Sequence, residues 1–475
     1  MYIKLPSRLA LILILFILCA TYVITPAHAQ NRDSSTTIGS NPFGAVESYQ
    51  RPEDAVEAGV GWERIIFEWR FFQPNGPDDW DTSSIPDQWL QYAQRGGRMV
   101  VGLVKNAPNW ATGSTLLGAN PQGLDLPLDD PRNRWAAFIQ KLVRYYSAKW
   151  NIHHWIMYNE PDIRPQNTQL FEFAGSVSDY YKIVKVGYKA AHAADPHVVI
   201  HLAGLTFWHD VIHDRQYYLE RYLRTAYADP EARQNGLFFD VYSVHIFGGT
   251  DWVWYITELF KHLPERLGYD KPLWVDEMNA RVTEDNGWPI AGGNVTVTVD
   301  QQAAFIVQGA ALALAAGADH VEVYKLFDNV VADNYEAWGL IRADGTRRPG
   351  FYAFQMVTKY FSGATDVQRF KNSYATMVVL TEPGRTVYVV WNRTRKPQYA
   401  YIQAIDPNNQ NIMLVSMTGE ERRLPPGETV DNTYELYLPP CEGSCDIQGA
   451  PRILIQPGDP QPGWTLNDKQ LVNLS

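Results

Sequence analysis

Met99-Val-Val-Gly-Leu-Val104 is apolar at every position, and Trp155-Ile-Met-Tyr158 is nearly so. Between them, Asp130-Pro131 opens a segment in which Trp135, Phe138, Leu142 and Tyr145 recur on one face. Proline in the first turn and a spacing of three or four residues predict a helix over 131–149. Runs that are apolar throughout suit strands buried on both faces, as in a parallel sheet covered by helices. The unit is therefore strand, helix, strand.

The same unit recurs outward in both directions. Apolar runs lie at 43–47, 64–69, 98–104, 155–159, 198–203, 239–244, 273–277 and 320–326. Segments with helical spacing lie at 86–96, 178–194, 213–228, 252–267, 300–316 and 350–361. Eight such repeats predict an α/β fold, a closed (β/α)8 TIM barrel over 36–362. An open doubly wound sheet would carry a glycine-rich phosphate loop after its first strand, and the chain from Ser48 onward has none. Beyond 361 the period changes to alternation in short runs rich in Val, Tyr and Thr, at 375–381, 386–391, 399–404, 411–415, 434–438 and 452–455. They predict a small C-terminal β-sandwich over 366–457, followed by a flexible tail over 458–475. The module has no run of surface aromatics, so bracing the barrel is its expected role.

The first residues predict export from the cytosol. A basic start (Lys4, Arg8), an apolar stretch from Leu9 to Ile24 and small residues at Ala27 and Ala29 form a secretory signal peptide over 1–29. An uncleaved anchor is the alternative, because this stretch is just short of a comfortable span. Cys441 and Cys445, in Cys-Glu-Gly-Ser-Cys, are then expected to form a local disulfide.

Catalytic groups of a barrel sit at the C-terminal ends of its strands. The fourth run ends in Tyr158-Asn159-Glu160-Pro161-Asp162 and the seventh in Val275-Asp276-Glu277-Met278-Asn279. Strands four and seven lie across the mouth from each other, so Glu160 and Glu277 can face one another. Paired carboxyls can divide acid and nucleophile roles.

Trp-Ile-Met-Tyr-Asn-Glu-Pro (155–161) and Trp-Val-Asp-Glu-Met-Asn (274–279) resemble the acid/base and nucleophile strands of the clan A retaining glycoside hydrolases. Gly61–Trp69, Ala107-Pro-Asn-Trp110 and Trp338–Pro349 extend the likeness over the whole barrel, closest to the family 39 (β-xylosidase-type) group. The resemblance implies Glu160 as general acid/base and Glu277 as nucleophile. It also implies Asn159 on the sugar 2-hydroxyl and Arg64 keeping Glu277 ionised. Their carboxyls would stand about 5–5.5 Å apart, the retaining distance.

The chain departs from that pattern at two strand ends. His245 matches a clan histidine, but Phe247 stands where many relatives carry a tyrosine that touches the nucleophile. Tyr324 is a candidate for the missing hydrogen bond. Tyr324-Lys325 replaces a sugar-stacking tryptophan, and Lys325 is expected to bind substrate or to sit in a structural ion pair. Trp69, Trp110 and Trp338 are candidate stacking rings. Segment 281–299 is a candidate wall of the site. His153 and His154 precede strand four at the other end of the barrel and are expected to be structural.

Composition narrows the partners. A net charge of −11 argues against nucleic acid, whereas 16 Trp, 27 Tyr and 19 Phe favour sugars and interfaces. No metal-ligand spacing and no nucleotide loop is present, so neither metal nor cofactor is expected, and the partner is an oligo- or polysaccharide. Two other readings stay open. One is an endo-β-glucanase or mannanase resembling family 5. The other is a non-catalytic carbohydrate-binding protein on the same barrel.

Overall fold

The computed structural model describes residues 41–164, 171–292, 295–330, 335–425 and 432–459. The predicted signal peptide and anchor alternative, and the tail from 460 onward, lie outside the described residues. Eight parallel strands build one sheet: β1 (Phe43–Ala45), β2 (Trp62–Glu68), β3 (Met99–Lys105), β4 (His154–Met157), β5 (Val199–Leu202), β6 (Tyr242–Phe247), β7 (Leu273–Asn279) and β8 (His320–Val323). The order β5-β4-β3-β2-β1-β8-β7-β6 sets sequence neighbours side by side. Bridges His201–Val241 and Leu205–Val244 join its two edges and close the barrel.

Helices Asp87–Arg95, Arg134–Trp150, Val177–Ala194, Tyr218–Ala228, Thr250–Glu265, Val299–Ala315 and Pro349–Phe361 cover the outside. Their ends are fixed by local chemistry. Asn133 caps the second of these helices, Ser176 and Asp179 form a capping box on the third, and Thr298 and Gln301 form one on the sixth. Each such cap stabilises by about 1 kcal/mol. The helix expected over 213–228 begins only at Tyr218, where Asp210 accepts the Tyr218 N–H at 2.6 Å. A separate turn, Trp208–Ile212, precedes it. Val299–Ala315 is apolar on nearly every face because the barrel lies on one side and the C-terminal module on the other.

That module has two sheets. A six-stranded antiparallel sheet has the order β14-β13-β16-β11-β10-β9, from β9 (Asp366–Lys371), β10 (Ala375–Glu382), β11 (Arg385–Asn392), β13 (Ile412–Ser416), β14 (Glu421–Leu424) and β16 (Arg452–Pro457). A two-stranded ribbon pairs β12 (Gln398–Gln403) with β15 (Thr433–Leu438). Alternation decides the layers. Val378, Leu380, Val387, Val389 and Trp391 join the barrel core, while Met377, Val379, Tyr388 and Val390 face Ala400, Ile402, Tyr434 and Leu436 of the ribbon. Polar contacts fasten the seam: Asp251 holds Lys371 at 3.1 Å and Arg393 at 2.9 Å, and Gln308 donates to the Gly449 carbonyl at 2.8 Å. The disulfide joins Cys441 to Cys445, with Cα atoms 5.2 Å apart.

At the N-terminal end of the barrel, the interior is filled by aromatic and imidazole rings. Trp274 stacks on His320 at 4.0 Å, and His154 Nδ1 lies 3.0 Å from His201 Nε2. Burial lowers the pKa of His154 to about 4 and that of His320 to about 3, so this layer is neutral. Among the described residues, no helix is long and apolar enough to cross a membrane.

Candidate active site

The C-terminal mouth of the barrel holds a pocket of about 180 Å³, lined among others by Arg64, Lys105, Asn159, Glu160, Glu277 and Tyr324. Glu160 follows β4 in a left-handed conformation (φ 41°), and its N–H donates to the Gly204 carbonyl at 3.2 Å. The Glu160 carboxyl therefore leaves the strand axis and turns toward β6 and β7. Pairing of β7 shifts register between Val275 and Met278 on one side and opposite Val244–His245 on the other. In a regular strand Asp276 and Glu277 would point to opposite faces. The irregularity lets both approach the same two cations.

Those cations are Arg64 and His245. Arg64 Nη2 donates to Glu277 Oε1, Nη1 lies 3.9 Å from Asp276, and Nε lies 3.9 Å from Glu322. His245 Nδ1 is 2.6 Å from Glu160 Oε1 and 3.6 Å from Glu277 Oε2, while Nε2 is 3.4 Å from Asp276. Glu160, His245 and Glu277 thus form a compact trio with ligand-type atoms all within 4.8 Å of one another.

Charge follows from these contacts. Burial works against an ionised Glu277, but His245 and Arg64, with Lys105 behind them, outweigh it and hold its pKa below the ordinary carboxylate value. Burial likewise opposes a charged His245, and Glu277 and Asp276, aided by the bond to Glu160, raise its pKa well above the ordinary 6.5. A charged imidazole has two N–H donors and no lone pair. The trio is the group of described residues close enough to hold a metal ion, and its carboxylate–imidazole–carboxylate contacts also suit an ion-pair relay. Burial drives Glu322 the other way, to a strongly raised pKa, so it stands neutral beside Arg64.

Asn159 is buried on the pocket wall, and its Oδ1 has no partner among the described residues. Lys105, on the pocket wall, pairs with Glu172 at 2.9 Å, and Lys325 sits behind the wall in an ion pair with the lining residue Glu47 at 2.9 Å. Glu277 receives its hydrogen bond from Arg64, while Tyr324 contributes to the pocket wall. Trp338 is half-buried, its ring 5.0 Å from Phe247 and 5.9 Å from Tyr324.

Two of the expected stacking rings are elsewhere. Trp69 is 0% exposed, stacked on Phe138 at 4.7 Å with its N–H on Gln73, and has no face left for a sugar. Its position at the end of β2 starts a helical turn, Trp69–Phe72, which swings the ring outward under the helices. Trp110 donates to the Gln73 carbonyl at 2.7 Å and packs its edge on Trp69, with Arg134 over its ring. The segment expected to wall the site, 281–299, is knit to the loop after β8 through bridges Val282–Ala337 and Ile290–Tyr335. Beneath them, buried Arg348 joins Asp285 at 2.8 Å to Asp328 at 2.6 Å, and Asp328 accepts the Gly339 N–H at 2.7 Å next to Trp338.

No protein-family model matches the chain, and no curated protein matches it in sequence. Solved structures match its fold. A family 39 glycoside hydrolase from Bacteroides cellulosilyticus WH2 superposes with a TM-score of 0.64 at 14% identity, covering 92% of this chain and 83% of that one. A monomeric β-xylosidase from Caulobacter crescentus CB15 gives 0.59 at 13% identity, over 89% and 96% of the two chains. An α-L-arabinofuranosidase from Thermotoga maritima gives 0.55 at 12%, over 88% and 97%. The fold is that of glycoside hydrolases.

Asp276 and Glu322 are the site residues that reading the sequence missed. Glu322 stands between Val321 and Val323, and Asp276 directly precedes Glu277; those placements were the available signal. Gly204 is a third: a Cβ there would lie 2.0 Å from His245 Nε2. Only glycine lets the β5 end pass that close to the imidazole.

Proposed function

We propose that the chain is a retaining glycoside hydrolase that removes single sugar units from β-linked glycans or from α-L-arabinosides. The observation that carries this reading is the opposition of Glu160 and Glu277, with carboxylate oxygens within 4.8 Å and a charged histidine between them. That separation falls with the roughly 5–5.5 Å of retaining pairs and not with the roughly 6.5–9.5 Å that an intervening water requires. The pocket, at about 180 Å³, is smaller than the roughly 300–1,000 Å³ of sites for drug-sized ligands, which suits one sugar ring.

In this mechanism Glu277, kept ionised by Arg64 and His245, attacks the anomeric carbon as the glycosidic bond breaks. The departing oxygen takes a proton from Glu160, and the His245 N–H, 2.6 Å away, then steadies the carboxylate left behind. Water, deprotonated by Glu160, then cleaves the glycosyl ester and returns Glu277 as carboxylate. Asn159 Oδ1 accepts from a sugar hydroxyl beside the reacting carbon. Trp338, with Phe247 and Tyr324, offers an aromatic surface to the leaving group.

The test is a panel of aryl β-xylosides, β-glucosides and α-L-arabinofuranosides with Glu277→Ala as control. One preferred sugar, product of retained configuration by proton NMR and a silent control are expected. Equal residual turnover in both proteins would exclude Glu277 as nucleophile. An inverted product would exclude the double displacement.

A further inference from the structure

The outward positions of the ribbon form three cross-strand rows: Tyr399 opposite Tyr437, Tyr401 opposite Glu435, and Gln403 opposite Thr433. Their inward neighbours bury against the six-stranded sheet, so these side chains face away from the rest of the molecule. Tyr399 is 36% and Tyr437 45% exposed, with ring centroids 5.5 Å apart, and Tyr401 reaches toward Glu435. Three tyrosines, a carboxylate, an amide and a hydroxyl occupy these six positions.

We infer that this face is a second, non-catalytic binding surface for neutral glycan chains. Rings at this exposure supply apolar area for the C–H faces of sugars, and their hydroxyls, with Glu435 and Gln403, supply hydrogen bonds at the edges. Three rows at two-residue spacing span about 14 Å, enough for a short oligosaccharide. The six positions carry one negative charge and no cation, which selects against polyanions such as nucleic acid or acidic polysaccharide. A protein partner would be expected to meet Arg, Met or aliphatic residues among the aromatics, and none occupies these six positions. A cross-strand tyrosine pair also stabilises a ribbon, but that role does not require exposed faces on both rings.

The inference rests on the carbohydrate-active reading of the barrel, and its test separates the two. Full-length protein is run in native gels cast with neutral arabinoxylan, β-1,4-xylan or barley β-glucan, with polygalacturonate as the charged control. The double variant Tyr399→Thr/Tyr437→Thr removes the rings while keeping strand-forming residues. Tyr399→Phe/Tyr437→Phe keeps the rings. Retardation by a neutral glycan is expected, weakened about tenfold in the Thr pair by loss of two ring contacts and little changed in the Phe pair. Turnover of a small aryl glycoside should be the same in all three proteins. No retardation of the wild type, or equal retardation of the Thr pair, overturns the inference. So does a concentration-dependent dimer that the Thr pair abolishes, since the face would then bind a second copy. Ring-dependent retardation with no turnover of any aryl glycoside would sink the catalytic reading and leave the surface standing.

Discussion

Replacing His245 by Ala removes the imidazolium that stands 2.6 Å from Glu160 and 3.6 Å from Glu277. The two carboxylates, with oxygens within 4.8 Å, then face each other with Arg64 as their nearest remaining cation. At an effective dielectric of about 20, a unit positive charge 3.6 Å from Glu277 attracts it by about 4.6 kcal/mol, and the variant loses that attraction. Because 1.36 kcal/mol corresponds to one pH unit, and the pocket is open to screening, Glu277 should keep its proton to a pH about 2 units higher. The measurement is kcat/KM against pH on the preferred aryl glycoside. In His245→Ala the acid limb moves up by about that amount and the plateau falls about 100-fold or more through loss of the N–H that positions Glu160. His245→Asn, which keeps an N–H toward Glu160 without the charge, should share the limb shift and recover part of the rate. A limb within about 0.3 pH unit of wild type in both variants would refute this electrostatic account of the trio.

Arg64→Met strips the buried partner from Glu277 and should cost about 3–5 kcal/mol at neutral pH. Glu277 has a lowered folded pKa, so that contribution is full above the unfolded value of 4.5 and fades as pH falls through the folded one. Denaturant melts at pH 7 and pH 3.5 should therefore converge, and a gap that stays constant would count against the pairing. Asp162, two residues past Glu160, is pushed by burial from 3.8 to about 7 while holding the Thr206 N–H at 2.8 Å and hydroxyl at 2.7 Å. That rise equals about 4 kcal/mol, favourable to folding below the unfolded pKa and lost as pH climbs through 7. Asp162→Asn should gain stability relative to wild type between pH 5 and pH 8, and a pH-independent difference in melting temperature would contradict it. Trp69→Ala should lower stability by about 3–5 kcal/mol, whereas Trp338→Ala should raise KM and leave the melting temperature nearly unchanged. The reverse pattern would reassign both rings.

The barrel was legible because each of its strands is a buried apolar run, and eight such runs in rhythm with helices admit few topologies. The strands that escaped are the ones whose sequence is set by exposure. β9 (Asp-Val-Gln-Arg-Phe-Lys) and β14 (Glu-Arg-Arg-Leu) are the two edges of the six-stranded sheet, and their charges discourage pairing with another chain. Glu160 and Glu277 could be found because position at a strand end is a property of the local run. What Asp276 touches is not: its contacts with Arg64 and His245 depend on a register shift between β7 and both its neighbours. Trp69 shows the same limit from the other side, since one helical turn after β2 decides whether its ring meets a sugar or Phe138. The tyrosine face was hidden in a third way. Its rings come from two strands more than thirty positions apart and alternate with core residues, so no stretch of sequence is rich in them. Only cross-strand pairing assembles them into a surface, and for that reason the ribbon is where binding experiments have most to add to the reading of the barrel.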